Sequence, residues 1–224
     1  MDLAWCWRSL AIVVTALFVC GCQTVGSIRP EENILPLGTA QTAGMIPVSL
    51  PMPVGYGHGP IPPGFVSFCM RFSSQCDVPE NQPETISLTS QYWGLLGQIN
   101  RQVNNSIWPE DDERHYGRPE YWNIPTDGYG DCEDYALTKR KILIDAGLPE
   151  RALRIGIVVT PHDVRHAVLT IATDRGDYVL DSLSDDIVPW NRTGYRWLER
   201  QDSGDVRQWV ALDTAPTQLA TAAH

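Results

Sequence analysis

Cys132 lies in the stretch GYGDCEDYALTKRK, residues 128–141, with Asp131 before it and Glu133 and Asp134 after it. A cysteine that attacks a carbonyl must first ionise, and three adjacent carboxylates oppose a thiolate. Its position works the other way. Gly128 and Gly130 release the chain into a turn, so Cys132 falls in the first turn of a helix, where unsatisfied backbone N–H groups favour an anion. The same groups can form an oxyanion hole. The acids have two readings. They can complement the helix macrodipole, with Lys139, Arg140 and Lys141 toward the other end. Alternatively they can take a hard cation, Ca²⁺ before others, which would relieve the conflict with the thiolate. The spacing is not that of an EF-hand.

A cysteine nucleophile needs a base, and the chain has five histidines. His58 falls in a Pro/Gly-rich stretch and His224 at the end of the chain. His115 sits among aromatics with no obvious partner, and His162 in a turn. His166 opens the strand-like RHAVLTIA, where a rigid element can aim its ring. An acid able to orient it, Asp181, follows in VLDSLSDD. If the two strands turn through residues 174–177 with 173/178 and 171/180 opposed, Asp181 falls opposite Thr170, several residues from His166. That register does not join the two side chains.

The elements that must position these residues follow from periodicity. Apolar residues at Ile86, Leu88, Tyr92, Leu95, Leu96, Ile99 and Val103 predict a helix over 85–103, capped by Thr85 or Ser87. Residues 104–127 read as an aromatic loop broken by prolines. A second helix starts near Cys132 and ends at Ala146, with Gly147 as its stop. After Pro149 the period becomes extended: 153–159, 166–172 and 177–180 read as strands, with further strand at Trp197 and 208–212. Helices followed by a meander give an α+β fold with a mainly antiparallel sheet.

Residues 1–22, MDLAWCWRSLAIVVTALFVCGC, carry one early arginine and a short apolar run, as an export signal does. Val19-Cys20-Gly21-Cys22 resembles a bacterial lipobox, which implies cleavage before Cys22, lipid on its sulfur and a membrane anchor. Gln23 rather than aspartate after it favours the outer membrane, so a periplasmic location is expected. Residues 23–63 read as a flexible Pro/Gly-rich tether, 64–213 as the folded domain and 214–224 as a frayed tail. In an oxidising compartment Cys69 and Cys76 can close a small loop, which leaves Cys132 as the odd thiol. The net charge of −10, with only two lysines, excludes nucleic acid as a partner for want of a basic stripe.

The words FC-x6-C at 68–76, YWNIP at 121–125, GDCEDYALTK at 130–139, GLP at 147–149, HAVL at 166–169 and VLDSL at 179–183 resemble the bacterial transglutaminase-like cysteine peptidases, the group that contains the LapG-type periplasmic proteases. The resemblance implies a papain-like, transglutaminase-like fold and a Cys132–His166–Asp181 triad. It also implies a Ca²⁺ site drawing on Asp131, Glu133 and Asp134. The expected activity is a calcium-assisted endopeptidase acting on a protein substrate such as a surface adhesin, under an inner-membrane regulatory receptor, and so affecting biofilm attachment. The backbone N–H groups of Cys132 and Trp122 would hold the oxyanion. The competing readings are acyl transfer to an amine and a non-catalytic envelope lipoprotein.

Overall fold

The computed structural model describes residues 45–214. The signal segment, Cys22, the first part of the expected tether and the tail beyond Thr214 lie outside the described residues. Four helices, α1 (Pro63–Arg71), α2 (Ser90–Ser106), α3 (Asp112–Tyr116) and α4 (Cys132–Asp145), accompany eight strands. Two short parallel strands, β1 (Trp108–Pro109) and β2 (Tyr129–Gly130), pair immediately before Cys132. The others are β3 (Leu153–Val159), β4 (Arg165–Thr173), β5 (Gly176–Asp181), β6 (Ser184–Pro189), β7 (Arg196–Gln201) and β8 (Trp209–Thr214). They form one sheet in the order β6-β5-β4-β3-β7-β8, antiparallel throughout. Helices on an antiparallel sheet give the expected α+β class.

Both faces of the sheet are buried, so β3 to β5 read as near-continuous apolar runs. On one face Leu153, Ile155, Leu169, Ile171, Tyr178 and Leu180 pack with Leu96, Ile99 and Val103 of α2 and Ala136, Leu137 and Leu143 of α4. On the other, Val158, Val168 and Val179 pack with Met52, Trp190, Trp197 and Leu212. The alternation of strand side chains assigns His166 and Asp181 to this second face.

Two expectations change. The helix expected from residue 85 begins at Ser90, where the Thr89 side chain accepts from the Tyr92 N–H. Ile86 and Leu88 are extended instead, and Ile86 bridges Thr173. The tether expected over 23–63 is, from residue 45 onward, a strap hydrogen-bonded to the sheet. Asp177 N–H donates to Leu50 O and Tyr56 N–H to Ala211 O, and Met52 N–H donates to Asp177 Oδ2 at 2.8 Å. The Pro- and Gly-rich composition suits a chain without ladder partners, but the open edge of β8 and the buried Asp177 carboxylate supply acceptors and donors for it.

Candidate active site

The turn between β4 and β5 is tighter than the sequence suggested. Thr173 pairs with Gly176, Ile171 with Tyr178 and Leu169 with Leu180. Continuing that ladder sets Asp181 opposite Val168, two residues nearer His166 than expected. His166 and Asp181 are then diagonal neighbours on one face, within reach of long side chains. His166 Nε2 lies 2.7 Å from Asp181 Oδ1. Asp181 Oδ1 also accepts from Leu183 N–H at 3.0 Å, and Oδ2 from the Tyr195 hydroxyl at 2.6 Å. Burial opposes ionisation of Asp181, yet the hydrogen bond and charge of His166, with the Leu183 and Tyr195 donors, hold its carboxyl below the ordinary range.

Cys132 is the first residue of α4 and the only free cysteine among the described residues. Its Sγ accepts from Ala167 N–H at 3.3 Å, and its S–H donates to Glu133 Oε2 at 3.2 Å. The thiol therefore sits against the backbone of the residue that follows His166; no hydrogen bond joins it to the imidazole, which meets Asp181 on the other face of the sheet. Burial, then the Glu133 charge, push the thiol well above its ordinary pKa, against the Ala167 N–H and with Asp131 adding to the rise.

The acids do more than face the end of the helix. Asp131 occupies the N-cap position without a side-chain capping bond, and Glu133 and Asp134 are buried. One carboxylate oxygen each from Asp112, Asp131 and Asp134 lies within 4.8 Å of the others. Asp112 Oδ1, Asp131 Oδ1 and Asp134 Oδ2 are buried without a hydrogen-bond partner. Asp134 Oδ1 accepts from Asn123 N–H at 2.7 Å, and Asp112 Oδ2 from Tyr121 N–H. Burial raises all of these acids, Asp134 to about 8 and Glu133, beside Asp131, to about 10, with Asp131 and Asp112 raised as well. Glycine is required beside them: a Cβ on Gly130 would stand 2.6 Å from Asp134 Oδ2. Three acids brought together, each with a buried oxygen that lacks a hydrogen-bond partner, fit a hard divalent cation. Glu133 groups with Asp131 and Cys132 instead.

Asp112 escaped the sequence reading. It stands in DDER, within the stretch 104–127 that reads as a loop, and only the packing of α3 beside β2 brings it to Asp131. The bases of α4 also differ from a simple dipole pattern. Arg140 is buried and donates to Gln75 O and Leu153 O, while Lys139 is fully buried with no hydrogen-bond partner for Nζ, which lies 5.9 Å from the Tyr135 ring centroid. His115 does have a partner, Asp127 Oδ2 at 2.9 Å. Trp122 packs its ring into the core against Phe65 and Trp209, and its carbonyl accepts from Arg71 Nη2 at 2.5 Å. Cys69 and Cys76 are joined as a disulfide.

No curated protein matches the sequence. Among solved structures, Legionella pneumophila LapG in its calcium-bound form is similar at 22% identity and a TM-score of 0.47, over 71% of this chain and 84% of that one. A second LapG structure and an EGTA-treated one each give 23% identity and a TM-score of 0.43, over 61% of this chain and 71% of theirs. The sequence profile of the bacterial transglutaminase-like cysteine proteinases (BTLCP) matches residues 56–217. The chain belongs to that family and is a cysteine peptidase.

Proposed function

We propose that the chain is a calcium-assisted endopeptidase of the bacterial envelope, with Cys132 as nucleophile, His166 as base and acid, and Asp181 as the orienting carboxylate. One observation carries this reading: Ala167 N–H donates to Cys132 Sγ at 3.3 Å while its neighbour His166 meets Asp181 at 2.7 Å. Because Asp181 accepts from Nε2, Nδ1 is the ring nitrogen left for the sulfur proton. His166 takes that proton, and the thiolate attacks a backbone carbonyl carbon of an extended protein segment. The Cys132 N–H at the start of α4, with the Trp122 backbone N–H as second donor, receives the oxyanion. His166 then protonates the leaving amine, and a water that it deprotonates hydrolyses the thioester and frees the sulfur.

Asp112, Asp131 and Asp134 are the residues that would hold Ca²⁺, with Glu133 beside Asp131; the unpartnered oxygens support this set. Bound there, the ion supplies positive charge that keeps the carboxylates ionised and offsets their field at Cys132. Export fits the signal-like residues 1–22 and the Cys69–Cys76 disulfide. A lipid anchor at Cys22 toward the outer membrane, a surface adhesin as substrate and an inner-membrane receptor as regulator complete the reading.

The test compares proteins released from the envelope of cells carrying native or Cys132→Ala protein. A fragment released only by the native form, lost with EGTA and restored by Ca²⁺, is expected. Identical release from both strains overturns the peptidase role in the envelope, and release indifferent to EGTA overturns the role of calcium.

A further inference from the structure

Asp181 is held by more than its strand. Its Oδ1 serves His166 Nε2 at 2.7 Å and Leu183 N–H at 3.0 Å. Its backbone carbonyl accepts from Asn104 Nδ2 of α2 at 3.0 Å. Its Oδ2 has one protein donor, the hydroxyl of Tyr195 at 2.6 Å. Tyr195 comes from neither strand of the β4–β5 hairpin. It lies between the short 3₁₀ turn Trp190–Arg192 and β7, and its own N–H donates to Thr193 Oγ1 at 3.2 Å. Its ring also stands edge-on to His166, with centroids 6.2 Å apart and planes at 80°. One side chain thus touches both the orienting carboxylate and the imidazole.

We infer that Tyr195 is a positioning residue for the reaction: its hydroxyl fixes the Asp181 carboxylate so that the other oxygen is aimed at His166. The inference rests on the triad proposed above. Asp181 and Tyr195, with Ser184, Arg192 and Thr193, line a cavity of about 170 Å³. That is room for several waters at about 30 Å³ each. With the phenolic hydroxyl in place, Oδ2 has a fixed donor, and the carboxylate cannot turn without giving up bonds on both oxygens. Without it, Oδ2 faces water that reorients freely, and His166 loses its fixed acceptor geometry. The other charges near Asp181 come from different elements: His166 on β4 and Lys139 on α4, which Asp185 of β6 also faces, with Arg192 on the cavity wall. None of these makes a hydrogen bond to Oδ2, so none substitutes for the phenol.

Tyr195→Phe removes one oxygen and keeps the ring packing. Acyl turnover by the full protein with calcium, measured with p-nitrophenyl acetate, is expected to fall about 10-fold in kcat with KM within about 2-fold, the size of a lost hydrogen bond to a charged group. The low-field proton NMR signal of His166 Nε2–H, protected in the native protein, is expected to broaden by exchange with water. A melting temperature close to that of the native protein separates this from unfolding, and Tyr195→Trp, which moves the donor, is expected not to restore kcat. Asp181→Asn is measured alongside. If Asp181→Asn loses turnover while Tyr195→Phe keeps both kcat and the proton signal, the assignment of Tyr195 is overturned and the triad stands. If Asp181→Asn also keeps full turnover, the triad falls and the role of Tyr195 falls with it.

Discussion

At the start of α4, Asp112, Asp131 and Asp134 converge and form no salt bridge with a base among the described residues, whereas on the rear face of the sheet Asp177 is buried beside Arg154 and Arg200. The rear cluster is balanced from within. Arg200 Nη1 lies 3.9 Å from Asp177 Oδ2, Arg154 is held by Arg151 O and Glu84 O, and the carboxylate receives Met52 N–H. Burial raises Asp177, and these partners work against the rise. At the front, burial raises every acid and the relief comes from hydrogen bonds donated by N–H groups, by the Cys132 thiol or by each other. A buried charge persists only when something compensates it. The rear compensates itself and serves architecture; at the front a proton, or the ion proposed above, would take that role.

The contrast breaks most visibly at the rear. Asp177→Ala strands two buried guanidiniums and the strap amide of Met52, and is expected to cost about 3–5 kcal/mol of stability, equally with and without calcium. Urea unfolding measures it, and a loss that calcium repairs would erase the distinction between the clusters. At the front, Asp131→Asn is expected to weaken Ca²⁺ binding about 10- to 100-fold by calorimetry. The same change is expected to raise the melting temperature of calcium-free protein, because it removes one of several like charges. A fall in melting temperature would show the acids to be internally compensated after all.

A smaller effect sharpens the comparison through pH. The front acids have folded-state pKa values above their ordinary ones, Asp134 at about 8 and Glu133 at about 10. The calcium-free native state therefore holds more protons than the unfolded chain from about pH 4 upward. Its stability is expected to fall as pH rises through that window, by roughly 5 °C in melting temperature between pH 5 and 8. Saturating calcium should flatten the curve, and parallel curves with and without calcium would contradict the assignment. Smallest of all, the exposed pair of Lys141 and Asp145, 2.6 Å apart, belongs to neither cluster. Lys141→Ala is expected to change stability by less than about 0.5 kcal/mol.

What the residues disclosed in advance follows physical lines. Helix α4 and strands β3 to β5 announce themselves because burial on both sides leaves long apolar runs and a sharp change of period at Pro149. The start of α2 was obscured because Ile86 and Leu88 alternate like a strand and merge into the helical stripe, and the cap is Thr89. Strand β6, Ser184–Pro189, opens with exposed aspartates at the sheet edge and carries little pattern. The distance between His166 and Asp181 depended on whether the turn held two residues or four, a question of hairpin geometry that Asp174-Arg175-Gly176 leaves open. Asp112 was invisible for another reason: nothing local marks it, and the acids it meets, Asp131 and Asp134, are nineteen or more positions away in the chain. The cysteine, by contrast, was legible because its neighbours were so unfavourable to it.

Arg140 joins the middle of α4 to Gln75 O, next to Cys76 of the Cys69–Cys76 cross-link. The helix that begins at Cys132 is thereby braced by the loop that the Cys69–Cys76 disulfide closes. Bench handling inherits a conflict from this: thiol reductants that guard Cys132 against oxidation also attack the bond that steadies its helix. Preparations kept in strong reductant and preparations kept without it will be two different molecules, one protected but slackened, the other firm but exposed to air.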